Sequence, residues 1–295
     1  MVANAQPELA DPWIGRVLEG TYRIERQLGE GGMGRVFEAR HLRLPDRHVA
    51  VKILGEEYAR DPEVVARFER EVESASRVVH PHVIEVYDAG VTAAGVHFLV
   101  TELLEGEDLG ARIERTKKPI PTELAVRLVR QTCLALAAAH ARGVIHRDVK
   151  PENVFVLEVD GQPFVKMIDF GISKITSTGE NAKLTRAGAV LGTPAYMAPE
   201  QARGGAIDAR TDVYGAGATL YTALAGRAPF EGDDPAMALS KLVSEGAPRL
   251  RSIAPWVPPE LEVVVQRAMS QDPRDRYATA LELDAALTPF DAETA

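Results

Sequence analysis

One short segment of the chain combines the residue types that phosphoryl transfer requires. Residues 145–154 read IHRDVKPENV, so a carboxylate, two cations and an amide fall within eight positions. In that reaction a carboxylate accepts the hydroxyl proton, an ammonium stabilises the moving charge and an amide binds magnesium. We therefore expect Asp148 to be the base, Lys150 the charge stabiliser and Asn153 a magnesium ligand. Rows of charged residues are also common on solvated surfaces, so this interpretation depends on other parts of the chain.

A glycine-rich loop precedes this segment. Residues 28–36, LGEGGMGRV, follow the pattern G-x-G-x-x-G-x-V through Gly29, Gly31, Gly34 and Val36. Glycine lets the backbone approach phosphates closely, and the backbone amides then bind them. The following segment, RVFEARHL, is typical of a strand, whereas a Rossmann unit continues as a helix. A P-loop would need Lys and then Ser or Thr where Arg35 and Val36 stand. We expect a glycine loop between two strands that folds over a triphosphate.

The elements that position these residues change in type along the chain. From Tyr22 to Gly106 the pattern is one of short strands rich in Val, Ile, Phe and Leu. One helix interrupts them, capped by Asp61, with Pro62 in its first turn and an end at His80-Pro81. We interpret residues 19–104 as a small sheet lobe, preceded by a polar leader at residues 1–18.

The second part is mostly helical. Helices are predicted over Thr122–Arg142, Thr211–Ala225, Pro258–Ser270 and Ala278–Leu287, and glycines follow the first two as C-terminal caps. Between them, VFVLE and PFVKMID flank Asp160-Gly161, which predicts a hairpin. We interpret residues 105–288 as a larger lobe and residues 289–295 as a tail.

Composition restricts the function classes. The 295 residues carry a net charge of −9, and this argues against nucleic-acid binding, which needs a basic surface. The single cysteine, Cys133, lies in an apolar run and is expected in the core, so a reducing compartment is favoured. The start of the chain lacks an export signal, and its longest charge-free run is shorter than the ~20 residues of a membrane span. We expect a cytoplasmic protein, or the cytoplasmic domain of a longer membrane-anchored one.

Five motifs together resemble those of protein kinases. They are the glycine loop, HVAVKIL, IHRDVKPENV, MIDFGIS and LGTPAYMAPE, in the order and spacing of that family over Tyr22 to Leu287. The overall pattern is similar to bacterial (Hanks-type) serine/threonine kinases. The resemblance implies an α+β fold of two lobes, a small antiparallel sheet with one helix followed by a larger, mostly helical lobe.

Lys52 is the one lysine in an apolar strand. Its ammonium should point inward or reach out past its neighbours, unless the strand simply lies at a solvated edge. An inward ammonium needs a carboxylate, because an unpaired buried charge is costly. The resemblance assigns Lys52 to the α- and β-phosphates of ATP and gives it Glu71, in RFEREV, as partner. Glu69 and Glu73 are expected to be solvated.

The resemblance also implies the remaining metal and nucleotide contacts. Asp169 joins Asn153 as a ligand of magnesium, an ion that prefers oxygen. The hinge, Glu102 to Leu104, should offer backbone groups to adenine, and Thr101 should guard the rear of the pocket. Apolar walls are expected from Val36, Ala50 and Phe155.

Regulation is implied by the loop between the D-F-G and A-P-E segments. Arg147 and Lys174 match basic positions that pair with a phosphate on this loop. We expect Thr185 to be the main autophosphorylation site, with Thr178 as its nearest rival. The alternative is that these hydroxyls only solvate a flexible loop.

Three further residues match structural positions of the family. Glu200 and Arg276 are expected to form a buried ion pair, which is costly to break. Asp212 is expected to brace the backbone of the catalytic loop from below.

The function implied is transfer of the γ-phosphoryl group of ATP to serine or threonine hydroxyls of proteins, with magnesium as cofactor. Lys150 and Thr193 resemble the serine/threonine class rather than the tyrosine class. Protein substrates are the expected partners, with no nucleic acid and no membrane segment in this chain, and a homodimer would serve autophosphorylation.

Two other function classes compete with this interpretation. A pseudokinase scaffold is disfavoured because Lys52, Asp148, Asn153 and Asp169 are all present, and scaffolds commonly lose one of them. A nucleotide-dependent dehydrogenase is disfavoured because no helix follows the glycine loop.

Overall fold

The computed structural model describes residues 11–31, 34–55, 58–59, 61–169, 194–230 and 234–291. The chain forms two compact units. The first contains residues up to Ser76 together with Glu85–Leu104, and the second contains Arg77–Ile84 together with residues from Glu105 onward.

An antiparallel sheet and one helix build the first unit. Its spatial strand order is β1-β2-β3-β4-β6-β5. The strands are β1 (Val17–Leu18), β2 (Tyr22–Gly31), β3 (Gly34–His41), β4 (His48–Leu54), β5 (Val86–Val91) and β6 (His97–Glu102). Helix α1 (Pro62–Arg77) lies between β4 and β5 in the chain. The predicted small antiparallel sheet with one helix is confirmed.

Buried and half-buried side chains alternate along β4, and this pattern shows why the sheet forms. Val49, Val51 and Ile53 are buried, while Ala50 and Lys52 between them are half-buried. Residues two apart share one face of a strand, so the branched side chains meet the core and Lys52 lies on the opposite face. Full burial of such a side chain stabilises by about 1.5–3 kcal/mol.

The segment before β2 corrects the sequence interpretation. Residues 1–18 were expected to be a polar leader, but Trp13 and Leu18 are only 4% and 3% exposed. Both belong to the apolar cluster that also contains Ile24 and Phe37. Trp13 alone offers a large apolar surface to bury, so the described part of this segment, from Asp11 onward, packs into the first unit.

A second difference concerns residues 77–84, which were expected in the small lobe. They belong to the second unit because strand β9 (Gln162–Met167) binds their backbone. Met167 donates to the carbonyl of His82 at 2.8 Å, and Ile84 donates to the carbonyl of Met167 at 3.0 Å.

Helices dominate the second unit. They are α2 (Leu109–Thr116), α3 (Thr122–His140), α4 (Pro199–Ala202), α5 (Ala209–Ala225), α6 (Pro235–Ser244), α7 (Pro259–Ala268) and α8 (Ala280–Leu287). A small sheet accompanies them, formed by β7 (Glu107–Asp108), β8 (Val154–Val159) and β9. The short helix α4 was not predicted, and neither were helices α2 and α6. The side chains of Asp108 and Asp234 cap them, and such caps are short-range signals that the sequence did contain.

The hairpin between β8 and β9 turns where it was predicted. Asp160 and Gly161 have φ angles of 51° and 75°. A two-residue hairpin turn of type I′ has both central residues in the left-handed region, which Asp tolerates and Gly adopts freely. The hairpin therefore pairs β9 with β8, the strand that directly follows the segment predicted to carry the chemistry.

The core of the second unit is centred on α5. Every residue from Thr211 to Leu224 is buried. A helix that is apolar on all sides is stable only when other elements surround it, and α3, α7 and α8 do so here. Cys133 on α3 is fully buried, as expected, and burial raises the pKa of its thiol.

None of the helices in the described ranges combines the length and apolar character that crossing a bilayer requires.

Candidate active site

Three side chains of the segment 145–154 meet in the second unit. The ammonium Nζ of Lys150 donates to Oδ2 of Asp148 at 2.8 Å. The amide Nδ2 of Asn153 lies 2.7 Å from the carbonyl oxygen of Asp148 and 3.3 Å from its Oδ2. Asn153 is only 5% exposed, so its orientation is fixed by packing as well as by these bonds. With Nδ2 turned toward Asp148, the amide oxygen Oδ1 is the atom that can accept a cation.

The backbone of this loop is held from within the core. Asp212 on α5 is 1% exposed and accepts from the amides of His146 and Arg147 at 2.8 and 2.7 Å. Nε2 of His140 lies 2.7 Å from the same carboxylate. Arg147 has a φ of 67°, a left-handed conformation that costs a non-glycine residue about 1–3 kcal/mol. The bonds to Asp212 offset that cost and keep the loop in this conformation.

Further hydrogen bonds join the loop to the end of β9. His146 is fully buried, and its Nδ1 lies 3.3 Å from the amide of Asp148 while Nε2 lies 3.3 Å from the carbonyl oxygen of Ile168. The amide of Ile168 donates to the carbonyl of Asn153 at 3.0 Å. Asp169 follows directly, exposed and with a φ of 51°. Asn153 and Asp169 are therefore presented on two segments that are bonded to each other.

In the first unit, Lys52 shares one face of the sheet with Val36 and Ala50, two of the three predicted apolar walls. Lys52 stands opposite Val36 on β3 and opposite Leu99 on β6. Directly opposite residues of an antiparallel pair point to the same side. Ala50 lies two residues before Lys52 and therefore on the same face, opposite Thr101.

Helix α1 covers that face of the sheet. Leu99 clusters with Phe68 and Val64 of α1. Glu71 occupies the helix position three residues after Phe68, which places both on neighbouring positions of the helix surface. The side chain of Glu71 itself lies outside the described residues.

The glycine loop is the tip of the β2–β3 hairpin. Gly29 stands opposite Val36, and Gly31 stands opposite Gly34. A Cβ on Gly34 would lie 2.0 Å from the carbonyl oxygen of Ile53, so no other residue fits there without moving the strand. A Cβ on Gly29 would meet nothing within 4 Å, so the fold does not itself require glycine there.

The predicted hinge residues lie at the end of β6. Glu102 forms two hydrogen bonds with Glu85. Its backbone amide donates to the Glu85 carbonyl at 3.0 Å, and its side-chain Oε1 accepts from the Glu85 amide at 2.7 Å. The hydroxyl of Thr101 donates to the Glu102 carbonyl at 3.2 Å. Leu104 is half-buried in the first unit, and Phe155 is half-buried on β8 of the second. The predicted regulatory residues Lys174, Thr185 and Thr193 lie outside the described residues, as does the rival Thr178.

A buried ion pair supports the second unit. Two parallel hydrogen bonds of 2.8 and 2.7 Å join the guanidinium of Arg276 to the carboxylate of Glu200. Thr211 adds a bond to Glu200 at 2.8 Å. Burial raises the pKa of Glu200, but the hydrogen bonds and charge of Arg276 outweigh it and lower the pKa overall. The expected Glu200–Arg276 pair and the expected bracing role of Asp212 are both confirmed.

Sequence reasoning gave no role to two residues that position this loop. His140 was not singled out, yet its Nε2 forms a hydrogen bond with the carboxylate of Asp212. Gln201 donates to the carbonyl of Arg147 at 2.8 Å and was not singled out. His140 and Asp212, like Gln201 and Arg147, lie more than fifty positions apart in the chain, so no local pattern could have identified these contacts.

Comparisons with known proteins identify the family of this chain. Residues 22–285 match the family model described as a protein kinase domain. The chain is 44% identical over 288 residues to the serine/threonine-protein kinase pkn3 of Myxococcus xanthus, covering 96% of this chain and 52% of that protein. It is 39% identical over 273 residues to PknB of Mycobacterium leprae, covering 92% of this chain and 43% of that protein. The PknI kinase domain of Mycobacterium tuberculosis, solved as a double mutant, superposes with a TM-score of 0.76 at 29% identity, covering 96% and 99% of the two chains. The chain thus spans about half, or less, of the length of these curated relatives.

Proposed function

The chain belongs to the protein kinase family, and from that premise we propose that it is a serine/threonine kinase that transfers the γ-phosphoryl group of ATP to protein hydroxyls. The observation that carries the proposal is the contact among Asp148, Lys150 and Asn153. These three side chains supply the proton acceptor, the cation and the metal-binding amide of the reaction in one place. The relatives named as serine/threonine kinases support the choice of acceptor.

We assign the general base to Asp148. Its carboxylate accepts the proton of the incoming hydroxyl as the oxygen attacks the γ-phosphorus. Lys150, hydrogen-bonded to Oδ2, stabilises negative charge on the transferred group. Asp212 positions both indirectly, because it fixes the backbone conformation at Arg147, directly before Asp148.

Magnesium fits the oxygen donors of this site. Asn153 through Oδ1 and Asp169 through its carboxylate are the residues that would hold it, since this ion prefers hard oxygen ligands. When bound, the ion neutralises the charge of the phosphates. The bond between Ile168 and Asn153 supports the assignment, because it joins the segments that carry the two ligands.

We assign the nucleotide contacts of the first unit to the glycine loop and to the Lys52 face of the sheet. Backbone amides near Gly29, Gly31 and Gly34 bind phosphates. Lys52 contacts the α- and β-phosphates and pairs with Glu71. The packing of α1 on the Lys52 face supports this pair, because it brings the helix that carries Glu71 onto the same side of the sheet.

We assign adenine binding to the predicted apolar walls and to the hinge. We propose that Val36, Ala50 and Phe155 contact the base and that Glu102 to Leu104 offer backbone groups to it. The position of Val36 and Ala50 on the same face as Lys52 supports this assignment.

Regulation by phosphorylation forms part of the proposal. Arg147 and Lys174 would pair with a phosphate on Thr185, and Thr193 would contact the base and Lys150. Phosphorylation of one copy by another would require a transient homodimer. The reaction is expected in the cytoplasm, where ATP and magnesium are available, with the chain acting alone or as part of a longer membrane-anchored protein.

Radiolabelled ATP with a generic protein acceptor tests the activity. Asp148→Asn should lower the transfer rate by about 10²–10⁴-fold, the usual contribution of a general base, while ATP still binds. Asp160→Asn is the matched control, because asparagine tolerates the left-handed turn at that position equally well. Equal rates for wild type and Asp148→Asn, or no transfer by either, would reject the proposal. Binding of ATP without transfer would favour the pseudokinase alternative.

A further inference from the structure

An N-terminal segment outside the family match packs against the strands of the glycine loop. We call residues Asp11–Leu18 the N-terminal strap. The amide of Gly15 donates to the carbonyl of Ile24 at 2.9 Å, and the amide of Ile24 donates to the carbonyl of Arg16 at 2.9 Å. Trp13 is buried in the apolar cluster of the sheet. The strap is thus integrated into the first unit, although the family match begins only at residue 22.

An ion pair joins the strap to the glycine loop. Oδ2 of Asp11 contacts Nη1 of Arg35. The other oxygen of Asp11 accepts from the amide of Trp13 at 2.8 Å, so the carboxylate is held on both sides. The side chains of Asp11 and Arg35 are only 10% and 28% exposed. Water and salt screen such a pair less than an exposed one.

Arg35 occupies a sensitive position in the loop. It directly follows Gly34, which already lies against the backbone of Ile53, and it directly precedes Val36, which faces Lys52. Successive residues of a strand point to opposite faces, so Arg35 lies on the face away from Lys52. Its guanidinium also lies 5.9 Å from the ring centroid of Phe37. Fixing Arg35 on that face therefore fixes the backbone from Gly34 to Val36.

We propose that Asp11 is a positioning residue for nucleotide binding: through Arg35, it holds the glycine loop in the conformation that binds the phosphates of ATP. The inference rests on the proposed function for the identity of the nucleotide. Neither residue occupies a fixed position of the pattern G-x-G-x-x-G-x-V. Arg35 stands at a variable position of that pattern, and Asp11 lies outside it.

Loss of the pair should weaken ATP binding more than it slows the chemistry. If the binding-competent conformation of the loop falls to about a tenth of the population, the apparent Kd for ATP rises about tenfold. The rate at saturating ATP depends on Asp148 and Lys150 in the other unit, so it should change little.

The test uses the full chain with Asp11→Asn, Asp11→Glu, Arg35→Met and the exchanged pair Asp11→Arg with Arg35→Asp. Each is measured for Kd of magnesium ATP by titration, for KM and kcat, and for Tm. Asp46→Asn is the matched control, since Asp46 is an exposed residue of the same unit. We expect Asp11→Asn and Arg35→Met to raise Kd and KM about tenfold with kcat nearly unchanged. The exchanged pair and Asp11→Glu should recover part of the affinity.

Several outcomes would overturn the proposal. One is an unchanged Kd in a folded Asp11→Asn protein, even if its Tm falls, because the strap would then be structural only. Another is a loss of affinity that neither Asp11→Glu nor the exchanged pair recovers. Failure of phosphoryl transfer by the wild type would instead reject the proposed kinase function, while the titration would still report whether the strap controls ATP affinity.

Discussion

Asp212 holds the backbone of Arg147 in a left-handed conformation. The amide of Arg147 donates to Oδ1 of Asp212 at 2.7 Å, and its φ is 67°. The carboxylate comes from α5, the most extensively buried of the helices in the described ranges, and Asp212 lies 65 residues further along the chain. The conformation of the residue before the proposed base is therefore set by the core rather than by the loop itself.

Asp212→Asn should weaken both the fold and the activity. An asparagine places an NH₂ group against one of the backbone donors, so a buried amide loses its partner at a cost of about 1–3 kcal/mol. The resulting shift of Asp148 should lower kcat by about 10- to 100-fold, because catalysis is sensitive to displacements near 1 Å. Urea unfolding and steady-state kinetics measure the two effects. Asp208→Asn is the control, since Asp208 caps the same helix and asparagine caps equally well. Equal kcat values for the two variants would contradict the bracing role.

Gly215 allows α5 to approach the catalytic loop. A Cβ there would lie 2.7 Å from Cβ of Val149 and 2.9 Å from its carbonyl oxygen. Gly215→Ala should destabilise by about 1–3 kcal/mol through overpacking, only partly offset by the better helix propensity of alanine. Because Val149 lies between Asp148 and Lys150, kcat should also fall.

Gly217→Ala is the matched control for that effect. A Cβ at Gly217 would lie 2.8 Å from Cβ of Ala268 and 3.0 Å from Cγ of Met269, so it also overpacks the core. Its contacts are with the end of α7, not with the loop. We expect a similar loss of Tm in both variants but a lower kcat only in Gly215→Ala. Parallel kinetics would show that the close approach at Gly215 has no catalytic consequence.

Glu200→Gln should remove a pH-dependent part of the stability. The pKa of Glu200 is lowered in the folded state, so its contribution is fully present above the unfolded value of about 4.3 and is lost as pH falls through the folded value. Breaking such a buried pair costs about 3–5 kcal/mol. Urea unfolding at neutral pH should therefore show a large difference from the wild type, which shrinks in acid. The exposed Glu158→Gln should show no such difference. A difference that stays constant down to acid pH would contradict the ion pair as its origin.

Asn153→Ala should raise the magnesium concentration needed for half-maximal activity. The change removes the proposed ligand oxygen together with the bonds to Asp148. Asn153→Asp keeps an oxygen ligand, so its magnesium requirement should lie closer to the wild type. Magnesium titrations of the initial rate at saturating ATP measure the effect. Identical titration curves for Asn153→Ala and the wild type would remove Asn153 from the metal site.

The sequence by itself predicted the elements that depend on neighbouring residues. The valine- and isoleucine-rich segment HVAVKIL predicted β4 over its observed range, and Asp160-Gly161 predicted the hairpin, because strand preference and turn conformation are properties of a few adjacent residues. The motif at 145–154 predicted the proposed base, cation and amide for the same reason, since all three lie on one short loop.

Tertiary structure decided the contacts between distant residues. Trp13 lies in a stretch that looks polar, and only the sheet gives it a place to be buried. The pairing of Asp11 with Arg35 and the bond from His140 to Asp212 have no counterpart in any local pattern. Side chains of this kind are ordered by the packing of whole elements, and the free energy of that packing depends on which surfaces meet rather than on which residues adjoin in the chain. The sequence therefore predicts which groups carry the proposed chemistry, and the folded core determines how those groups are held.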